Sequence, residues 1–436
     1  MELFSFNAKR DVDYEKTSLR RLLFVICGIG ALARLIFCAS LERLQQPEIW
    51  EYEEIAMNLV RGNGFVFFHL NTIYRSFCEP LYPGLCAVIY LVFGHEHFIV
   101  VLLQIVLSTL AIAIVTVWTK KMTEQRAVTY LAGIIGIVHP GLLMYNTKLH
   151  PLLLDSLLFV LVAWSAFRYS DKPTTGRSFL VGLVSGVCFL SRPTIIVAMP
   201  VVWWWLWMSE KSGMVKIRLE RVIVTFVTMV AVASPWLIRN YQIHDEFMLT
   251  RSITPFVLWL GNNPYASGAA VDKHGRDVFF AVVPEDFREN IIAAGSETEQ
   301  NQMFANLARE YIVADPWGFC TRFIAKFSAF WWFWPYAGQY YSDLSMTIYR
   351  VWWLMLAGAG VYGIYCVNIG SYGFKNKYNF LLAIALCVSL AQSVFFVEGR
   401  HRLAIEPLLF SISAFGISQF RRWFVVSFRG FKKLME

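Results

Sequence analysis

His97-Phe98-Ile-Val-Val-Leu-Leu-Gln104-Ile-Val-Leu-Ser108-Thr-Leu-Ala-Ile-Ala-Ile-Val-Thr-Val-Trp118 runs for 22 residues without a charged side chain. A helix of that length reaches roughly 33 Å, enough for the ~30 Å hydrocarbon core of a bilayer. Comparable apolar runs lie outward from it at 21–41, 127–146, 151–168, 178–191, 194–208, 219–238, 346–366, 378–397 and 403–420. The pattern predicts an all-α, polytopic membrane helical bundle of about 10 spans. Two shorter or more polar stretches, 80–94 and 317–336, raise the count to 12 if both cross. A membrane β-barrel is excluded, because its strands alternate in short segments.

Composition agrees. Of 436 residues, 57% are hydrophobic and 16% charged, with a mean hydropathy of +0.49. Soluble domains carry about 25% charged residues. The apolar content also excludes disorder and collagen. The eight cysteines fall mostly inside apolar runs and form no CxxC or Cys/His cluster, so neither a disulfide framework nor structural zinc is expected. The first run has no cleavage site before it and reads as a retained helix.

Charge orients the bundle. There are 39 Lys+Arg against 31 Asp+Glu. With ten spans and both termini inside, 22 of the 39 basic residues fall on the cytoplasmic side. They include Lys120, Lys121, Arg177, Lys216 and Arg421. If 80–94 and 317–336 both crossed, the three central clusters would land outside, against the positive-inside bias. The excess of basic residues therefore marks cytoplasmic loops, with no nucleic-acid partner implied. Segment 317–336 carries Arg322 and Lys326 and several tryptophans, which suits an interfacial helix. The domains are a cytoplasmic segment 1–20, a membrane module 21–238 with an outer loop 42–96, an outer loop 239–345, membrane helices 346–420 and a basic tail 421–436. The tail alternates basic and aromatic residues and reads as a surface helix on anionic lipid.

In the first outer loop, Ile55, Leu59 and Val60 form a helical stripe ended by Gly62 and Gly64. Glu48, Glu51, Glu53 and Glu54 cluster there, either as a solvated acidic face or with one acting as a base. Glu79-Pro80 and Pro83 set a rigid helix entry. In the second outer loop, Ser296 opens an amphipathic helix near 297–313, closed before Pro316.

Tyr52-x-x-Ile-Ala-x-Asn-Leu-x-x-Gly-x-Gly-Phe65, then Glu79-Pro-Leu-Tyr82-Pro, then Phe93-Gly94, resembles the multispanning lipid-linked-sugar glycosyltransferases. These are the family-39-like enzymes of the class C fold, related to protein O-mannosyltransferases and lipid A aminoarabinose transferase. His139-Pro140 before Asp155, Ser191-Arg192-Pro193, Pro235-Trp236-Leu-Ile-Arg239-Asn240, Gly261-Asn262-Asn263-Pro264 and Glu398-Gly-Arg400-His-Arg402 continue the likeness in order. One departure is that Glu48 stands where the family usually has aspartate, and Glu51 is close enough to take the same role.

The resemblance implies transfer of a sugar from a polyprenyl phosphate donor to an acceptor (glycan, lipid or protein) on the outer, periplasmic side of the inner membrane, with inversion. The leaving group is already a phosphate, so it needs cations to stabilise the developing charge; arginine suits this. The acceptor hydroxyl needs a carboxylate to take its proton. The expected catalytic set is Glu48, Glu51 and Asp155. Arg192, Arg239, Arg400 and Arg402 are the donor-phosphate candidates. Tyr52, Arg75, Glu79, Tyr82, Asn240 and Asn262 are candidates for the acceptor or loop site.

Plainer roles stand beside these. Arg192-Pro193 also punctuates a helical hairpin, Arg239 also fits snorkelling to the interface, and Asp155 also fits a bridge to Lys148. Some relatives hold a divalent metal near the first-loop carboxylates, but no ligand spacing here identifies one. A transporter of an anionic or lipid-linked solute, or a non-catalytic scaffold, would use the same charges. The absence of an internal repeat argues against the transporter.

Overall fold

The computed structural model describes residues 12–334 and 342–435. Most of the predicted N-terminal segment 1–20, part of the loop 239–345 and the last residue of the tail lie outside the described residues.

Among the described residues, six helices are long and apolar enough to cross a membrane: Leu19–Ser40, His97–Thr123, Leu152–Asp171, Val215–His244, Asp343–Ile369 and Lys375–Val394. Six of the ten predicted runs fall on them. Three others form shorter helices: Arg126–Ile137, Thr175–Phe189 and Ile195–Ser209. The run at 403–420 sits in a long terminal helix, Glu406–Met435.

Local chemistry explains the short ones. After Arg126–Ile137 the chain breaks at His139, whose Nδ1 accepts the Leu142 N–H, and Pro140 opens the next turn. Between the other two, Pro193 has no N–H to continue the ladder. A helix of 15 residues reaches only about 22 Å, short of the ~30 Å hydrocarbon core.

The helix Leu152–Asp171 is central: 83% of its most apolar window is buried, against 22% for Leu19–Ser40 and for Val215–His244. Outward-facing Phe24, Leu91 and Leu354 are exposed, as side chains meeting lipid would be.

Small residues set the closest helix contacts. Gly182 and Gly186 let Thr175–Phe189 lie directly on Val215–His244: a Cβ on Gly182 would stand 2.5 Å from the Thr225 carbonyl oxygen. The second such contact joins Asp343–Ile369 to Glu406–Met435. There a Cβ on Gly363 would meet the Ile412 carbonyl oxygen at 2.4 Å, and one on Gly416 would clash with the Ala359 carbonyl. Backbone cannot yield as a flexible side chain can. Gly416→Val is therefore expected to force these helices apart, lowering the melting temperature in detergent by several degrees. An unchanged melt would show that the two helices do not depend on this approach.

The loops 42–96 and 239–345 dock on each other. Glu51–Val60 forms a helix, and Gly62 and Gly64, both at positive φ, end it. A hairpin then pairs Phe67–His69 with Thr72–Tyr74. The helix Glu297–Ala314 starts where Ser296 accepts the Glu299 N–H, one residue from the expected bounds. Its Gln300 accepts from the Tyr74 hydroxyl at 2.7 Å, and its Glu297 accepts the Arg75 N–H at 2.7 Å. The helix Pro316–Trp331 covers most of the interfacial segment expected at 317–336.

Candidate active site

Glu48 is fixed by backbone before its side chain acts. Its N–H donates to the Thr147 carbonyl (2.9 Å), and the Leu149 N–H donates to the Glu48 carbonyl (2.8 Å). This short bridge staples the loop 42–96 to the chain just before the central helix. The Glu48 carboxylate then lies 2.5 Å from Lys148 Nζ and accepts from Trp50 Nε1 at 3.0 Å. Lys148 is buried, while Glu48 is 40% exposed at a cavity mouth.

Trp50 links this pair to the last candidate motif. The Arg400 guanidinium stands over its ring, 4.8 Å from the centroid, and is paired with Glu398 at 2.8 Å. His150 packs edge-on against both Trp50 (5.1 Å) and Tyr52 (5.4 Å). Tyr52 in turn meets Tyr82 at 5.6 Å, and the Tyr82 hydroxyl donates to Gln104 at 2.8 Å. The two tyrosines thus form a buried aromatic wall beneath the first-loop helix.

Asp155 is fully buried on the central helix. It accepts from the Ser191 hydroxyl at 2.6 Å and faces Arg192 at 3.7 Å, and Arg192 donates to Gln392 at 3.3 Å. Its partner is therefore Arg192; the bridge to Lys148 does not form. Glu79, also buried, pairs with Arg251 at 3.3 Å.

The charges act on one another. Burial pushes the Glu51 carboxyl up, while Arg400 and Arg251 pull it back. Burial drives His150 well below the ordinary histidine value, with Arg400, Arg192 and Lys148 adding to it. His401 is lowered in the same way by burial and then by Arg192, Arg400 and Arg251. Both imidazoles are therefore neutral in a region of gathered positive charge.

Three arginine-bearing groups are separate. Arg400 lines an apolar cavity of about 350 Å³ together with Phe37, Leu143, Met346, Tyr349 and Leu403. Arg239 and Arg75 line another cavity with Glu54 and Phe65. Arg239 donates to Ser76 (2.9 Å) and the Arg75 carbonyl (2.7 Å) and stacks over Trp236. Asn240 beside it is buried and donates to the Thr250 carbonyl. Arg402 lies in neither cavity: it is fully buried and held 2.6 Å from Glu406.

Asn262 is also distant from Glu48 in role. It donates to the Leu258 and Val394 carbonyls and accepts from Lys326. Lys326 gives its ammonium to Gly261, Asn262 and Val394, so this loop motif fastens the helix Pro316–Trp331. Lys148 and Arg251 complete the charge pairs around Glu48 and Glu79. Nothing in their local sequence signals this, since their partners lie far away along the chain.

This architecture resembles that of the class C membrane glycosyltransferases. Residues 79–238 match the family described as dolichyl-phosphate-mannose-protein mannosyltransferase. Among solved structures, the chain resembles the oligosaccharyltransferase of Archaeoglobus fulgidus, crystallised with zinc and sulfate. The TM-score is 0.50 at 14% identity, covering 93% of this chain and 51% of that one, so the chain spans about half that enzyme's length. It also resembles ArnT from Cupriavidus metallidurans, in the apo state (TM-score 0.39, 14% identity, 88% of this chain and 77% of that one) and bound to undecaprenyl phosphate (0.41, 13%, 89% and 77%). No curated protein sequence matches the chain. The fold and the match over 79–238 make the chain similar to multi-pass membrane glycosyltransferases.

Proposed function

We propose that the protein transfers a sugar from a polyprenyl phosphate to an acceptor hydroxyl at the outer face of the inner membrane, inverting the anomeric centre. The observation that carries this reading is the succession of an apolar cavity, a cation at its edge and a carboxylate beyond. The cavity suits an isoprenoid chain, Arg400 stands at its edge, and Trp50 joins Arg400 to Glu48. ArnT, a structural neighbour, was solved with undecaprenyl phosphate.

In this reading the acceptor oxygen attacks the anomeric carbon and gives its proton to Glu48. The bond from that carbon to the phosphate oxygen breaks, and polyprenyl phosphate leaves. Arg400, with Lys148 and Arg192 nearby, offsets the charge gathering on the leaving phosphate. Asp155 positions Arg192, and Glu79 positions Arg251 beside the acceptor. Attack from the side opposite the phosphate inverts the centre. The cytoplasmic clustering of basic loops supports the outer placement.

The test incubates purified protein with radiolabelled polyprenyl-phosphate sugars and membrane extract. Label is expected to move from the lipid to an acceptor with inverted linkage. Label that stays on every lipid donor would overturn the reading.

A further inference from the structure

We infer that Glu53, His95 and His97 bind one divalent transition-metal ion of the zinc type. Three separate chain elements converge there. Glu53 lies in the first turn of the helix Glu51–Val60. Gly94, at φ 79°, turns the chain out of the helix Leu81–Phe93. His95 follows it directly, and His97 opens the helix His97–Thr123. The spacing His95-x-His97 across this turn aims both rings at one point.

Both Nε2 atoms reach the same carboxylate oxygen, His95 at 2.5 Å and His97 at 2.7 Å. The three ligand atoms all lie within 4.8 Å of one another. Zinc bonds of about 2.0–2.1 Å in a tetrahedron place ligand atoms roughly 3.3 Å apart. The two imidazoles therefore need to open by less than about 1 Å to admit an ion. His95 has room for this, being 46% exposed, while Glu53 (12%) and His97 (18%) are largely enclosed. The Tyr90 ring packs edge-on against His95 at 4.9 Å and limits its swing.

The surroundings favour a cation. Glu53 and His95 line a cavity of about 730 Å³ whose other charged walls are Glu48, Glu51, Glu54 and Arg61. Burial pushes the Glu53 carboxyl up, but the two imidazoles outweigh it and hold it below the ordinary value. An ionised carboxylate facing two imidazoles is a borderline-soft ligand set. It suits zinc and neighbouring first-row metals; magnesium and calcium prefer all-oxygen shells. Three protein ligands leave a fourth position toward the cavity, as in open zinc sites. A bound ion would also tie the first-loop helix to the base of the His97–Thr123 span.

The test uses the full-length protein in detergent, stripped with EDTA and titrated with zinc, with no sugar donor present. Its outcome is thus independent of the transfer reaction. One zinc per chain is expected, and cobalt in its place should give the intense visible bands of a tetrahedral site. Glu53→Gln and His97→Ala should lose this binding at zinc concentrations that saturate the wild type. His95→Ala, altered at an exposed ring, should keep the wild-type melt in the absence of metal while binding more weakly. No saturable zinc in the wild type, or unchanged binding in all three variants, would overturn the site.

Discussion

On the proposed reading, Glu48→Gln is expected to lower sugar transfer by about 10²–10⁴-fold, the usual share of a positioned general base, while the protein still folds. The amide keeps the side chain's shape. Its oxygen can still accept from Trp50 or from Lys148, and at 40% exposure the site admits water to complete the shell. What it loses is the capacity to take a proton. The donor should still bind, because Arg400, the proposed phosphate contact, is unchanged, so the fall is expected in kcat with little change in donor KM. Glu51→Gln separates the two first-loop carboxylates. Glu48, and not Glu51, holds the contacts to Lys148 and Trp50, so a loss under about tenfold is expected for Glu51→Gln. Transfer at the wild-type rate by Glu48→Gln would remove Glu48 from the mechanism; a larger loss for Glu51→Gln would hand it the role of base.

The apolar runs were legible because hydropathy is a local property, and so were the ends written in local chemistry: Ser296 as a cap, Gly62 and Gly64 as a stop. The hairpin at 67–74 was not. Its turn places Leu70 and Asn71 at positive φ, and leucine gives no turn signal. Tertiary burial holds it there, since Leu70 packs into the cluster of Trp259, Phe279 and Phe304.

The site follows the same division. Glu48, Glu79, Asp155, Arg192 and Arg400 stood out as charges at helix ends, but their partners did not. Lys148 goes to Glu48 and Arg192 to Asp155 because of how distant segments pack. The spacing of Arg400 and Arg402 did carry a readable signal. Residues two apart on a helical turn do not face the same way, and Arg402 has a carboxylate four residues on, at Glu406. Arg400 turns to Trp50 while Arg402 turns into the bundle. His95 and His97 carry no local signal of a site, because Glu53, the carboxylate they meet, lies more than forty residues earlier.

Glu406→Ala is expected to cost roughly 3–5 kcal/mol of stability, the range for removing one partner of a buried ion pair. Glu406 and Arg402 are both fully buried, 2.6 Å apart. The same carboxylate accepts from the Tyr349 hydroxyl at 2.6 Å and lies 2.6 Å from His139 Nε2. Arg402 further donates to the Phe330 and Trp332 carbonyls and stacks over Trp353 at 3.7 Å. This knot joins the helices Pro316–Trp331, Asp343–Ile369 and Glu406–Met435. Alanine at 406 would leave a guanidinium, which cannot shed its proton, with only neutral acceptors and an aromatic face. The double variant Arg402→Met with Glu406→Leu removes both charges and should recover much of the loss, since well-packed apolar replacements of buried ion pairs are often neutral or better. Melting in detergent reads both. Glu406→Ala melting like the wild type would mean that Arg402 is satisfied without its carboxylate, and a double variant no more stable than Glu406→Ala would assign the loss to packing rather than to the stranded charge.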